Sequence, residues 1–358
     1  MLEALSVRLL TSSPGWGAGL FRTECRGREW LTPLCPLCIL GEWFVLKVFS
    51  VFLFLVLINV SQNASAHLKW FAVDGPTIDL ASYYSSYGSE LAIGIFLLLL
   101  LIGLAFWMNR HLRFEIPPPP ILKKYIPRLF SVLIGLSLIY ASYNQSIIAA
   151  HYLVSNRILV LLQYAQAVVG FMLILNLFPK AAAWALIFIY TILATQFGVL
   201  EVLDYINFIG IALFLVLFHS SEEDRKTLAV PAIRILTGAT LIILAFSEKL
   251  LNPDLGLRFL SANEWNFMQA FGISGFSNEL FILSAGLVEL LIGVLFIFGI
   301  LTRINTLVLL AFMVTSNMTF MVQNAPGEAL TELAGHLPVL AIALILLLCG
   351  AGQKWRLR

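Results

Sequence analysis

Apolar residues in this chain fall in long unbroken runs, not in alternating or one-faced patterns. Nine runs can be drawn, at residues 89–108, 129–149, 158–178, 181–197, 202–218, 231–248, 281–300, 304–322 and 334–350. Each approaches the ~20 residues that cross a hydrocarbon core of ~30 Å. None alternates apolar-out and polar-in as a membrane barrel strand does, so the pattern predicts an all-α, polytopic membrane helix bundle. The predicted loops are short except residues 249–280, which read as an outer lid or re-entrant segment. Composition agrees: 60% hydrophobic, 12% charged and a mean hydropathy of +0.92 lie outside the soluble range, making the lipid bilayer the first partner.

Charge then orients the bundle. With the mature amino terminus outside, the inner segments hold Arg110, Arg113, Lys123, Lys124, Arg128, Lys180, Arg225, Lys226, Arg234, Arg303, Lys354, Arg356 and Arg358, against Lys69, Arg157, Lys249 and Arg258 outside. Thirteen against four predicts a cytoplasmic carboxyl terminus and, with the signal below, a bacterial plasma-membrane protein. Acidic residues, among them Asp74, Asp79, Glu201, Asp204 and Glu264, gather at the outer helix ends.

Before the nine runs lies a tenth of only 13 residues, Val48 to Val60, after Lys47 and ahead of Ala64-Ser65-Ala66. This resembles a secretory signal with an A-x-A site, so cleavage would leave His67 first; a retained tenth helix is the alternative. Residues 1 to about 45 are long for an n-region, and a start at Val45, Leu46 or Val48 would give an ordinary signal of about 20 residues. Cys25, Cys35 and Cys38 lie in that doubtful stretch, where a lone CPLC is a weak redox or zinc signal; only Cys349 follows it.

Internal similarity divides the rest. RLFSVLIGLSLIYASYNQSI from Arg128 resembles RILTGATLIILAFSEKLLNP from Arg234, and the next helices pair Gln166 with Glu289 and Lys180 with Arg303, both 123 positions apart. EVLDYINFIG matches ELAGHLPVLA, pairing Glu201 with Glu332 and Tyr205 with His336. The expected organisation is a signal region at 1–66, an outer segment at 67–88, an extra helix at 89–108, a linker at 109–127, four-helix repeats at 128–219 and 231–352, and a basic tail at 353–358. Four helices per repeat make the repeats parallel. Pro117 to Pro120 predict an extended spacer without helix.

The run SEKLLNP after an Arg-led helix, followed by LVELLIGVLFIFGILTR and a hydrophobic hairpin, resembles the DoxX family over 230–352, less typically over 124–219. That resemblance implies four-helix membrane modules, some linked to thiosulfate:quinone oxidoreduction and others to membrane redox complexes. It therefore implies quinone as a cofactor and a membrane or soluble redox partner.

From the residues alone, Glu289 is the most informative, a carboxyl about 12 Å from the outer end of its expected helix at ~1.5 Å per residue. It is either a proton or ligand group or a neutral hydrogen-bonding link between helices. Glu332 and His336, one turn apart, together with Glu248, complete the candidate catalytic set, as a titratable mouth or as ordinary helix-end decoration. His67, with its free amino group, plus His151 or His336, would suit copper. Three functions follow: a quinone-linked redox component, a copper-handling or small-solute transport protein, or a non-catalytic scaffold. The absence of GxGxxG and Walker motifs disfavours hydride and nucleotide chemistry, and nothing resembles a nucleic-acid-binding surface.

Overall fold

The computed structural model describes residues 79–111, 120–263 and 265–357. His67, the signal-like run, the three upstream cysteines and Glu264 lie outside the described residues. Among the described residues, eight helices are long and apolar enough to span a membrane, or up to nine when one bent pair is counted as a span. The architecture is an all-α bundle, with one small hairpin.

A short helix α1 (Leu80–Ser86), capped by the Asp79 carboxylate, leads into α2 (Gly88–His111). The first half comprises α3 (Pro120–Tyr143), the hairpin β1 (Ser146–Ile147) and β2 (Ala149–Leu153), α4 (Arg157–Leu175), α5 (Pro179–Phe197), the short α6 (Val199–Val202) and α7 (Asn207–Phe218). After α8 (Glu223–Lys226), the second half comprises α9 (Ala229–Ala245), α10 (Pro253–Asn263), α11 (Phe267–Ala270), α12 (Asn278–Phe298), α13 (Thr302–Val322) and α14 (Pro326–Cys349). Helix α3 packs on α4, α5 on α7, α9 on α12 and α13 on α14; across the halves α14 packs on α3 and α7 on α9. Two rows result, α4-α3-α14-α13 and α5-α7-α9-α12. Helix α2 flanks α12 and buries little of itself, so most of its apolar surface faces outward.

The same local devices recur in both halves. Helix α4 ends with Asn176 left-handed at φ 57°, and α12 ends with Gly299 left-handed at φ 69°. The following amides close matching bonds, Leu177 to the Met172 carbonyl at 2.8 Å and Ile300 to the Leu295 carbonyl at 3.0 Å. Two residues on, Phe178 at φ 46° and Leu301 at φ 44° start the next helix. All these positions are 123 apart, the spacing of Gln166 and Glu289.

Glycines set the tightest crossings. A Cβ on Gly135 would lie 2.6 Å from the Gly170 carbonyl oxygen, and one on Gly238 would lie 2.6 Å from that of Gly293. Gly135 therefore corresponds to Gly238, three residues out of the register that aligns Arg128 with Arg234. Gly238→Ala is expected to destabilise the protein by about 1–3 kcal/mol, because backbone is forced from backbone. Gly103→Ala, with nothing within 4 Å of its Cβ, is the neutral comparison. Thermal unfolding in mild detergent checks this, and equal midpoints would contradict it.

Several predicted boundaries shift. The span expected over 129–149 stops at Tyr143, and its remainder turns into the hairpin, which pairs Ser146 with Leu153 and Ile147 with Ala149. Helix α3 begins at Pro120, the last of the four prolines, since a first-turn residue needs no amide partner. Residues 112–119 of the linker lie outside the described residues. The run over 202–218 is broken: Val199–Tyr205 and Asn207–Phe218 meet at 59°. The run over 231–248 ends in a wide turn, Phe246–Leu250, whose Leu251 amide reaches back to the Phe246 carbonyl at 2.8 Å. The last helix starts at Pro326, well before 334.

Helix α10 packs on α12 and on the wide turn, and aromatic rings carry the contact on to α13. The Trp265 ring lies 5.9 Å from both Phe281 and Phe312, and Phe259 lies 6.4 Å from Phe320.

Candidate functional site

Glu289 stands near the middle of α12, eleven residues after Asn278, or about 16 Å along the axis. The wide turn at the end of α9 brings Glu248 and Lys249 towards it, because a π-type turn rotates the side chains that follow. Gly286 makes room: a Cβ there would lie 3.2 Å from that of Lys249. The Lys249 Nζ meets Glu289 Oε2 at 2.7 Å and lies 4.0 Å from Glu248 Oε2. Glu248 is 1% exposed, while the Lys249 and Glu289 side chains keep 12% and 18% exposure. The pair is thus recessed but reachable, as a site exchanging protons or ligand requires.

The polar chain continues into the first half. Ser247 donates to Asp204 Oδ1 at 3.0 Å, and Asp204, in the turn between α6 and α7, is 1% exposed. Beside it, the Tyr152 hydroxyl donates to the Glu201 carbonyl at 3.0 Å. Burial pushes the Tyr152 phenol up, and the charges of Glu201, Asp204 and Glu248 push the same way, so it stays a neutral donor. Helix α1 lies across this end: Tyr83 donates to the Glu279 carbonyl at 3.1 Å and Tyr84 to the Leu250 carbonyl. Burial raises the Tyr83 phenol as well.

Among the predicted site residues, Glu248 and Glu289 come together around Lys249. Glu332 and His336 form a second pair on the other row, with His336 Nδ1 3.3 Å from Glu332 Oε1 and the same oxygen accepting from Ser316 at 2.7 Å. His151 packs in tilted contact with Tyr152, ring centroids 3.9 Å apart, and with Tyr205 at 5.5 Å. Among the described residues no three His, Cys, Asp or Glu side chains come together to hold a metal ion, and His67 is not among them.

Gln166, which the sequence aligns with Glu289, is held by hydrogen bonds on both sides of its amide. Its Oε1 accepts from the Ile148 amide at 2.7 Å, and its Nε2 donates to the Leu138 carbonyl at 3.0 Å and Ser142 Oγ at 3.1 Å. Those bonds hold Ile148 at φ 63°, a rare conformation for a β-branched residue.

Ser247 and Ser316 are contributors to which the sequence gives no role, whereas Asp204 reads, with Glu201, Tyr205, Glu248, Lys249 and His151, as lining a polar outer mouth. Ser247 stood inside the quoted SEKLLNP run and Asp204 among the outer acids, but Ser316 had no pattern to mark it.

Fold and site together define a multi-pass membrane protein with a recessed ion pair between two of its spanning helices. More particularly, residues 229–322 match the DoxX family model, so that stretch of the chain is similar to DoxX membrane proteins. The match takes in α9 to α13, including Lys249 and Glu289, and stops before Glu332 and His336. No curated protein and no solved structure matches the chain.

Proposed function

We propose that this protein is a quinone-linked component of membrane redox chemistry in a bacterial plasma membrane, built from two parallel repeats. The observation that carries the reading is the Lys249–Glu289 pair at 2.7 Å, halfway along a spanning helix. An ammonium is a donor suited to a quinone carbonyl, and a neighbouring carboxylate accepts the proton of a quinol hydroxyl. Converting a quinone to its quinol takes two electrons and two protons. Lys249, Glu289 and Glu248 supply the proton-carrying side, while the electrons come from a partner oxidoreductase.

The end bearing Glu248, Lys249 and Glu332 is assigned to the outside. Arg234 and Arg303 cap helix ends with their side chains, yet removing both from the thirteen inner basic residues still leaves eleven against four. The repeat reading is supported by the matched turns and glycine crossings.

Titrating the reconstituted protein with a short-chain quinone tests the assignment. Glu289→Gln is expected to weaken binding at least about tenfold, the loss of one hydrogen bond to a charged group. Unchanged affinity would sink it.

A further inference from the structure

We propose that the phosphate of an anionic phospholipid binds between the carboxyl-terminal end of α2 and the tail of the chain, bridged by Arg110 and Arg356 with Trp107 and Trp355 beside it. This goes beyond the redox reading and uses none of its residues. It begins with a surplus of positive charge. Among the described residues this end of the bundle carries three acids, and each already has a cation: Arg225 lies 2.8 Å from Glu222, Lys226 2.6 Å from Glu223 and Lys354 3.6 Å from Asp224. Neither Arg110 nor Arg356 pairs with a carboxylate among those residues.

Hydrogen bonds bring the two arginines to one place. Asn109 donates from Nδ2 to the Leu357 carbonyl at 3.2 Å, so Arg110 and Arg356 each stand next in sequence to a partner of that bond. The Leu357 amide donates to the Phe298 carbonyl at 3.0 Å and the Leu301 amide to Asn109 Oδ1 at 3.1 Å, which ties α2, the tail and the turn after α12 together. At that turn, a Cβ on Gly299 would lie 2.6 Å from Arg234 Nη1 and 3.0 Å from the Arg356 Cβ. Arg234 already takes the carbonyls of Phe296, Ile297 and Trp355, and the Arg356 charge opposes its own. Two guanidiniums beside one turn, with no carboxylate between them, favour a bound anion.

The surrounding surface says which anion. Leu100, Leu104 and Trp107 follow one face of α2 at i, i+4 and i+7, all exposed, and the exposed Arg110 and His111 close the same stripe. Acyl chains can lie along this stripe and bring a headgroup to its basic end. Trp107 is 54% exposed and Trp355 60%, and indole rings concentrate where hydrocarbon meets headgroups. In the tail, Lys354-Trp355-Arg356-Leu357 alternates basic and apolar residues, which suits a phosphate and the hydrocarbon beneath it at once. A guanidinium meets phosphate with two parallel N–H donors. The charge map assigns this end to the inner leaflet, whose surface is negative. A soluble phosphate ion would leave the apolar stripe without a partner, so the lipid is the occupant that fits.

The test uses the full chain in mild detergent, titrated with short-chain phosphatidylglycerol or phosphatidylcholine and read by native mass spectrometry and thermal unfolding. Phosphatidylglycerol is expected to stay bound and raise the midpoint, and phosphatidylcholine to do so far less. Arg110→Gln and Arg356→Gln are each expected to weaken phosphatidylglycerol binding about fivefold, and together about thirtyfold. Arg225→Gln, which removes an exposed charge already paired with Glu222, is expected to leave it unchanged. Added sodium chloride is expected to shrink the parent's preference, a readout that needs no variant. Equal binding of the two lipids by the parent, a matching midpoint shift with inorganic phosphate alone, or undiminished phosphatidylglycerol binding by the double variant would overturn the proposal.

Discussion

Lys249→Met is expected to destabilise the protein by about 3–5 kcal/mol, the cost of leaving a buried carboxylate without its counter-ion. Lys249 is the cation held against Glu289 at 2.7 Å and lies 4.0 Å from Glu248. Its removal takes from the Glu289 carboxylate the ammonium that holds it. Because the penalty belongs to the unpaired charge and not to the lost contact, Lys249→Met combined with Glu289→Leu is expected to recover much of the loss. Denaturant titration of all three proteins in detergent measures it. Equal stability of Lys249→Met and the parent would show that the pair is not buried as described.

Arg234→Met should cost about 3 kcal/mol and free the carboxyl-terminal tail. Arg234 is completely buried, and its guanidinium donates to the carbonyls of Phe296 and Ile297 at the end of α12 and to that of Trp355 in the tail. Charge-assisted bonds of this kind contribute about 1.5–3 kcal/mol each, and losing several is only partly offset by no longer burying the charge. The tail is also tied by the Leu357 amide to the Phe298 carbonyl at 3.0 Å and by Asn109 to the Leu357 carbonyl at 3.2 Å. Limited proteolysis should therefore cut beyond Gly350 faster in the variant. Arg225→Met, which loses only an exposed pair with Glu222, should leave the cleavage rate unchanged.

The all-helical bundle was legible because lipid leaves few solutions, and twenty-residue apolar runs need no tertiary context to be read. The left-handed turns at Asn176 and Gly299 lie 123 residues apart, as Gln166 and Glu289 do. What escaped were departures from regular helix. The stretch after Tyr143 is as apolar as a span, but Gln166 captures the Ile148 amide and turns the chain into a hairpin. The wide turn at Phe246–Leu250 and the break before Asn207 depend on which backbone groups find partners across helices, which hydropathy does not record.

At the site, Glu289 and Glu248 were visible as carboxyls in apolar runs. Their partner Lys249 was visible as an outer charge and a member of a polar mouth, but its reach to Glu289 required the extra residue of the wide turn. Arg234 and Arg303 read as topology signals, whereas their side chains turn inward as caps, Arg303 on the carbonyls of Leu347 at 2.9 Å and Leu348 at 2.8 Å. The pair Glu332 and His336 was legible from one-turn spacing alone, and Ser316, from a neighbouring helix, was not.

The central claim is that Lys249 and Glu289 hold a quinone head group within the membrane. Native mass spectrometry of gently solubilised protein, isolated from quinone-replete membranes, tests it most directly. The account predicts a bound quinone on the parent protein that is lost in Glu289→Gln while the folded mass is retained. A parent protein that carries no quinone, or a variant that carries as much as the parent, would contradict it.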